Sequence, residues 1–166
     1  MTYDEYLEKL QRRFERHFIV ETNVGILGKN IDLHARFCNV SGRTFITQSD
    51  VIDRCENYEL CYIKRYEGVS VGDVAEFGEF LKRAVDEFVN PGDDHMSTYV
   101  TGVMITDNVC GDSARKAVEK LKHSKAYRYY LRGWCDVRLI CVDLGNQEVI
   151  TNKAGKRVKK VYQLTP

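Results

Sequence analysis

Apolar and polar positions alternate along the chain with two periods, one helical and one strand-like. The first seventeen residues follow the helical period behind Thr2-x-x-Glu5, the pattern of a capping box in which side chain and backbone bond reciprocally at the start of a helix. The apolar residues at this spacing are Tyr3, Tyr6, Leu7, Leu10 and Phe14. The pattern predicts a first helix over residues 3–17.

The following segment predicts an antiparallel meander of three strands. The runs IVETNVGIL and NIDLHARFCNV are joined by a turn at Gly28-Lys29-Asn30, and RTFIT follows Ser41-Gly42. Because side chains alternate across a strand, the middle run should have two different faces. Its apolar face would carry Ile31, Leu33, Ala35 and Phe37, and its polar face Asp32, His34, Arg36 and Cys38.

The second half alternates strands with helices. A strand is predicted over residues 58–65, a helix from Ser70-x-x-Asp73 to Asn90-Pro91-Gly92, and a central strand at STYVTGVMIT, which is apolar on both faces. A helix over 112–123, the strand WCDVRLICVDL, a hairpin into EVITN and a basic tail, AGKRVKKVYQL, complete the chain. The order α-βββ-α-β-α-β(β) predicts an α/β fold with a single mixed β-sheet flanked by helices. A length of 166 residues predicts one domain, 1–166.

Composition predicts a cytoplasmic protein without a membrane segment. The chain is 43% apolar and 30% charged, and no apolar run approaches the ~20 residues of a membrane span. Its first residues, MTYDEYLEKL, are acidic and amphipathic, unlike a signal peptide. The six cysteines show no C-x2-C spacing, and Cys135 and Cys141 share a strand face with apolar neighbours. We therefore expect buried thiols rather than metal ligands.

Charge is distributed unevenly along the sequence. Residues 1–114 contain 12 Lys and Arg against 20 Asp and Glu, whereas residues 115–166 contain 13 against 4. The stretch KLKHSKAYRYYLRGW alone holds five Lys or Arg and four aromatic residues. Two interpretations are open: a core-facing aromatic row beneath a solvated basic row, or a surface for DNA or RNA, whose bases stack on aromatic rings and whose phosphates attract cations. The predicted nucleic-acid-binding residues are Lys125, Arg128, Arg132, Lys153, Lys156 and Arg157.

Three segments carry a resemblance to a known family. HMSTYVTGVMITD, LKHSKAYRYYLRGWCDVRLICVDLG and VITNKAGK resemble an uncharacterised prokaryotic domain-of-unknown-function family, found mainly in archaea. The likeness extends over nearly the whole chain. It implies a common fold and supplies no activity.

The order of elements also resembles the restriction-endonuclease-like PD-(D/E)xK superfamily. That resemblance implies Mg²⁺ held by an Asp on the second strand and by the Glu of an E-x-K motif on the next. Asp32, in NIDLHA, matches the Asp, and Lys64, in CYIKR, matches the Lys, but Tyr62 stands where the Glu belongs. Glu59 has the parity of the opposite strand face. The resemblance thus implies Asp32 and Lys64 as catalytic residues, with Asp32 as metal ligand, in a degenerate site.

These patterns lead to one hypothesis and two alternatives. The leading hypothesis is nucleic-acid-associated binding through the basic, aromatic C-terminal third, without a cofactor. The first alternative is a nuclease dependent on Mg²⁺, and the second is a non-catalytic structural or protein-interaction domain that forms a homodimer through an uncovered sheet edge. The sequence has no G-x-S-x-G elbow, phosphate-binding P-loop or dinucleotide fingerprint, so it does not decide whether the protein is an enzyme.

Overall fold

The computed structural model describes residues 1–40, 43–44, 57–89, 97–127 and 133–164, with backbone alone for Val40, Arg43 and Thr44. The elements in chain order are α1 (Tyr3–Phe14), β1 (Ile19–Ile26), β2 (Lys29–Val40), β3 (Arg43–Thr44), β4 (Asn57–Tyr66), α2 (Val71–Phe88), β5 (Ser97–Thr106), α3 (Asp112–Lys120), β6 (Ser124–Ala126), β7 (Trp134–Asp143), β8 (Glu148–Thr151) and a C-terminal 3-10 helix (Ala154–Tyr162).

All of these strands belong to one mixed sheet in the order β1-β2-β4-β5-β7-β6, with β3 paired to β2 and β8 paired to β7. β4, β5 and β7 run parallel at its centre, and the remaining pairings are antiparallel. The strand STYVTGVMIT lies between β4 and β7, and almost every residue of it is buried. The predicted α/β class, a single mixed sheet flanked by helices, is confirmed.

The sheet is covered on both faces. α2 and α3 pack on one face, which we call the α2 face, through residues such as Phe77, Leu81 and Val118. α1 packs on the other, the α1 face, together with Tyr162 from the C-terminal 3-10 helix. Because layers cover both faces, most residues of β4, β5 and β7 are buried, which explains their nearly continuous apolar sequence.

The helices α1 and α2 begin where the sequence predicts, whereas α1 and α3 end earlier than predicted. Thr2 with Glu5, and Ser70 with Asp73, form the predicted capping boxes. α1 ends at Phe14, and the Phe14 carbonyl accepts hydrogen bonds from the N–H groups of both His17 and Phe18 in the turn that follows. α3 ends at Lys120 rather than at residue 123, since Leu121 is already extended (φ −60°, ψ 127°). The rest of the predicted third strand, residues 45–47, lies outside the described residues.

Strict alternation along β2 is wrong at one position. Leu33 and Ala35 pack on the α1 face as a pair, but Ile31 belongs to the core of the α2 face. The pairing of β1 with β2 skips Asn23 and Asp32, and Asn23 has a left-handed backbone with φ 52°. A local irregularity of this kind increases the twist and re-aims the side chains beyond it.

The basic tail is also different from the prediction. Residues Ala154–Tyr162 form a 3-10 helix, and Tyr162 is only 2% exposed. Val158 and Tyr162, four residues apart, both pack against the core of the α1 face. The backbone oxygen of Tyr162 accepts a 2.8 Å hydrogen bond from the Tyr6 hydroxyl, which fastens this helix to α1.

The predicted core thiols are confirmed. Cys135 and Cys141 are buried and free, as are Cys61 and Cys110. Cys38 is disulfide-bonded, so the expectation of a free thiol is wrong at this position.

Candidate functional site

A cavity of about 550 Å³ opens beside the first half of β7. It lies where three segments meet: the connection between α3 and β6, the beginning of β7, and the turn from β8 into the C-terminal 3-10 helix. Volumes of a few hundred to a thousand Å³ are usual for sites that enclose small molecules or parts of larger ligands. We call this cavity the β7 cleft. Its lining includes Tyr99, Leu121, Lys122, His123, Trp134, Arg138, Asn152, Lys153 and Arg157.

Asn152 gives the cleft its shape. It is 1% exposed, and its side-chain amide donates hydrogen bonds to the carbonyl oxygens of Leu121 (3.1 Å) and Val137 (3.0 Å). Its side-chain oxygen accepts from the N–H groups of Leu139 (3.1 Å) and Gly155 (2.9 Å). The side chain therefore bonds the end of α3, the open edge of β7 and the start of the 3-10 helix at one point.

A buried ion pair lies on the α1 face at the wall of the cleft. Arg138 of β7 is 5% exposed, and its Nη1 is 3.2 Å from Oε1 of Glu59 on β4. Thr101, on the strand between them, donates its hydroxyl to the same oxygen at 3.1 Å, and Cys61 donates its thiol at 3.6 Å. Burial, and next the charge of Glu59, raises the pKa of the Cys61 thiol well above its usual value, so this thiol remains protonated.

Aromatic rings form the next part of the wall. The guanidinium carbon of Arg138 lies 3.3 Å from the centre of the Tyr99 ring, a stacked cation–π contact. Trp134 meets the same Tyr99 edge-on, with 5.1 Å between ring centres and 83° between planes. Trp134 and Tyr99 are half-buried, so each also presents surface to the cleft.

The rim of the cleft is mainly cationic. Among the described residues that line it, five side chains are Lys or Arg and two are acidic, Glu119 and Asp136. Asp136 accepts a hydrogen bond from the hydroxyl of Ser124, so one oxygen of this carboxylate already has a partner. The four exposed cations of the rim are Lys120, Lys122, Lys153 and Arg157. None of these four forms an ion pair with any residue in the described ranges.

The structure separates the predicted nucleic-acid-binding residues into different places. Lys153 and Arg157 line the β7 cleft together. Lys156 lies in a neighbouring groove with Lys159, beside the bidentate pair of Arg115 and Glu148. Lys125 is 3.0 Å from Asp86 on α2 and lies over the Tyr127 ring, away from the cleft. Arg128 and Arg132 lie outside the described residues.

Asp32 and Lys64, the residues implied by the nuclease resemblance, point to opposite faces of the sheet. The Asp32 carboxylate accepts a 2.6 Å hydrogen bond from the N–H of Arg65 and lies beside Tyr3 of α1, where burial and then its charge raise the pKa of the Tyr3 hydroxyl. The Lys64 ammonium donates to the Asn30 carbonyl at 2.9 Å and shares a groove with residues of α2. In the part of the chain that is described, no three His, Cys, Asp or Glu residues are grouped as metal ligands would be.

Comparison with known families gives one result. A family model described as Domain of unknown function (DUF8052) matches residues 2–164. The chain belongs to this family. No curated protein matches it significantly.

The family match covers the whole sheet, both helical layers and every lining residue of the β7 cleft. It confirms the predicted membership in a domain-of-unknown-function family. Within the described residues, no helix has the length and apolarity needed to cross a bilayer.

Sequence reasoning missed Arg138 and Asn152, which line the cleft, and it considered Glu59 only as a metal ligand and not as the partner of Arg138. One signal was present: Arg138 interrupts the apolar run VRLICV of a strand buried on both faces, and a charge there requires a partner. The partner was not visible, because Glu59 is 79 residues away and belongs to a strand two places along the sheet. Asn152 had the appearance of an ordinary turn residue.

Proposed function

We propose that this domain binds single-stranded nucleic acid in the β7 cleft. One observation carries the proposal: four exposed cations that have no carboxylate partner among the described residues line a cavity whose wall contains two half-buried aromatic rings. Cations attract the phosphates of any nucleic acid, and stacking on aromatic rings requires bases that are not already paired. The combination favours single strands over duplex.

The cleft lies where a long ligand can reach it. Lys120 and Lys122 contribute from the end of α3, while Lys153 and Arg157 contribute from the start of the 3-10 helix. Cations on two separate segments of the lining offer a backbone several phosphate contacts, with its bases directed toward Trp134. Lys153 and Arg157, both predicted from the sequence as binding residues, lie at the centre of this proposal. Lys125 and Lys156 contribute less, since one is paired with Asp86 and the other lies in the neighbouring groove.

Charge reversal tests the proposal. The double variant Lys153→Glu/Arg157→Glu should abolish binding of a dye-labelled single-stranded oligonucleotide, measured by fluorescence anisotropy, whereas duplex of the same sequence should bind the wild type more weakly. The matched control is Lys156→Glu/Lys159→Glu, which makes the same charge change on the same helix but in the neighbouring groove. Equal losses in both double variants would show that only net charge matters, and the cleft would then not be the binding site.

The restriction-endonuclease-like classification, the archaeal origin and the Mg²⁺-dependent nuclease remain predictions. For the nuclease, Asp32 would act as the metal ligand and Lys64 as its catalytic partner, and their positions on opposite faces of the sheet require a rearrangement of β2 before both reach one phosphate. The same oligonucleotides incubated with Mg²⁺ or Mn²⁺ test this activity. Cleavage that is lost in Asp32→Ala would establish it, and intact substrate under all conditions would remove it.

The homodimer also remains a prediction. β1 is the first strand in the sheet order, so its outer edge has no partner strand within the described ranges. Asn23, at φ 52°, interrupts this edge, and such irregularities oppose edge-to-edge pairing. Light scattering of the purified chain distinguishes a monomer from a dimer directly.

A further inference from the structure

A buried cation at the wall of the β7 cleft has unused hydrogen-bonding capacity. A guanidinium carries five N–H donors. Within the described residues, the Arg138 guanidinium donates only to Glu59, from Nη1, and its Nε is buried without a partner although the side chain is just 6% exposed. Leaving a buried donor unsatisfied is costly, so native structures that contain one usually supply an acceptor from a ligand, an ion or water.

A second unpartnered group lies on the same cavity. The Nε2 atom of His123 is buried and has no hydrogen-bond partner in the described part of the chain. His123 and Arg138 both line the β7 cleft, and the two segments are joined where the Val137 N–H donates to the His123 carbonyl at 3.0 Å. The lining of the cleft thus contains two buried nitrogen atoms, on separate segments, that have no partner among the described residues.

We propose that Arg138 receives the terminal phosphomonoester of the strand that occupies the cleft. This inference rests on the proposed function and specifies its substrate: strands that carry a phosphate at an end. An internal phosphodiester has chain continuing on both sides and remains near the exposed cations of the rim. A terminal phosphate has chain on one side only, so it reaches the side chain of Arg138, which is only 6% exposed.

The chemistry of the Arg138 guanidinium fits this ligand. A phosphomonoester presents three terminal oxygens and up to two negative charges, and the planar fork of an arginine binds such oxygens in pairs. Tyr99, stacked 3.3 Å beneath the guanidinium, and Glu59, bonded to Nη1, hold the fork in one orientation. Glu59 also balances the charge of Arg138 while the cleft is empty, which makes burial of the arginine tolerable. The 5′ and 3′ ends share this chemistry, so the experiment compares them.

The chain's single tryptophan provides the measurement, because Trp134 lines the cleft. Single-stranded oligonucleotides of one sequence, with a 5′-phosphate, a 3′-phosphate or hydroxyl at both ends, are titrated into the full chain while Trp134 emission is followed. One phosphorylated form should bind at least about tenfold more tightly than the hydroxyl form, as a charge-assisted hydrogen-bond pair implies. The responsive form identifies the end that enters.

Two variants separate this inference from the general proposal. Arg138→Lys retains the charge and loses the fork, so the preference for the phosphorylated end should fall below about threefold while the hydroxyl form binds as before. Arg157→Ala, at the exposed rim, should weaken all forms by the same factor. If thermal unfolding shows that Arg138→Lys is not folded, Glu59→Gln/Arg138→Met removes both buried charges together and answers the same question.

The outcomes are distinct. Equal affinity for phosphorylated and hydroxyl strands overturns the end-binding inference and leaves the cleft as a general single-strand site, with water bonded to Arg138. A preference that survives in Arg138→Lys and in the double variant places the phosphate elsewhere and also overturns it. If no strand changes Trp134 emission or competes in the anisotropy measurement, the proposed function itself is wrong.

Discussion

At the scale of single residues, the side chain of Asn152 connects three segments of the chain. Its side chain forms four hydrogen bonds, all to backbone groups and two of them to groups of β7. Asparagine suits this place because one side chain supplies two donors and an acceptor with two lone pairs. An aspartate has the same shape without the donors, and it would oppose the carbonyl oxygens of Leu121 and Val137.

We predict that Asn152→Ala lowers the free energy of unfolding by about 3 kcal/mol or more, since several buried backbone groups lose their partner at once. Chemical denaturation measures the change. Asn30→Ala is the control, because Asn30 is exposed on a strand, and such substitutions usually change stability by at most about 0.5 kcal/mol. A comparable loss in the two variants would mean that the hydrogen bonds of Asn152 contribute little.

His34 is a second residue whose surroundings determine its chemistry. It is 7% exposed, its ring is stacked on Tyr62 with 4.7 Å between centres, and its Nδ1–H donates to the Cys61 carbonyl at 2.9 Å. Burial lowers the pKa of His34 below its ordinary value, more than the hydrogen bond to Cys61 raises it. The imidazole is therefore neutral in the folded protein at neutral pH.

The lowered pKa makes stability depend on pH in a defined direction. As pH falls below about 6.5, the unfolded chain binds a proton at residue 34 before the folded chain does. The contribution of His34 is thus complete above about pH 6.5 and is lost as pH falls toward the folded pKa, at no more than about 1.4 kcal/mol per pH unit. His34→Phe should flatten the unfolding free energy between pH 7 and pH 5, whereas His17→Phe, at an exposed histidine, should leave the wild-type slope. Identical slopes in all three proteins would contradict the prediction.

At the scale of elements, periodicity was sufficient for most helices and strands. The capping boxes at Thr2 and Ser70 located two helix starts, and unbroken apolar sequence correctly identified β5 as central. Local signals work there because each element carries its own pattern and its own cap.

The failures at this scale involve interactions that no local pattern contains. The switch of faces between Ile31 and Leu33 occurs opposite the left-handed backbone of Asn23, a residue on the neighbouring strand. The C-terminal 3-10 helix is rich in Lys, and only Val158 and Tyr162 indicate that one side of it packs on the sheet. This helix is decisive for the candidate site, because it supplies Lys153 and Arg157 to the cleft wall.

At the scale of the whole molecule, the uneven charge of the sequence is partly neutralised by the fold. Lys125 pairs with Asp86 and Arg138 with Glu59, both in the acidic first part of the chain, while Arg115 pairs with Glu148 inside the basic part. The sequence predicts a basic C-terminal third. Ion pairs formed in the folded chain determine which of its cations remain free to bind a ligand. Lys125 and Lys153 both belong to the basic part of the sequence. In the structure Lys125 is paired with Asp86, whereas Lys153 has no carboxylate partner among the described residues.

The salt dependence of nucleic-acid binding should distinguish the cations that contact phosphates from those that are paired within the protein. For single strands, the logarithm of the binding constant falls with the logarithm of salt concentration by about 0.7 for each phosphate that a cation neutralises. If all four rim cations contact phosphates, the wild-type slope should be about −3, and Lys153→Ala should reduce its magnitude by about 0.7. Lys125→Ala should leave the slope unchanged, because that ammonium is paired with Asp86 on the α2 face of the sheet. Binding in the cleft assigns a phosphate contact to Lys153 and none to Lys125. If both substitutions change the slope equally, the nucleic acid contacts the whole basic surface and not the cleft alone.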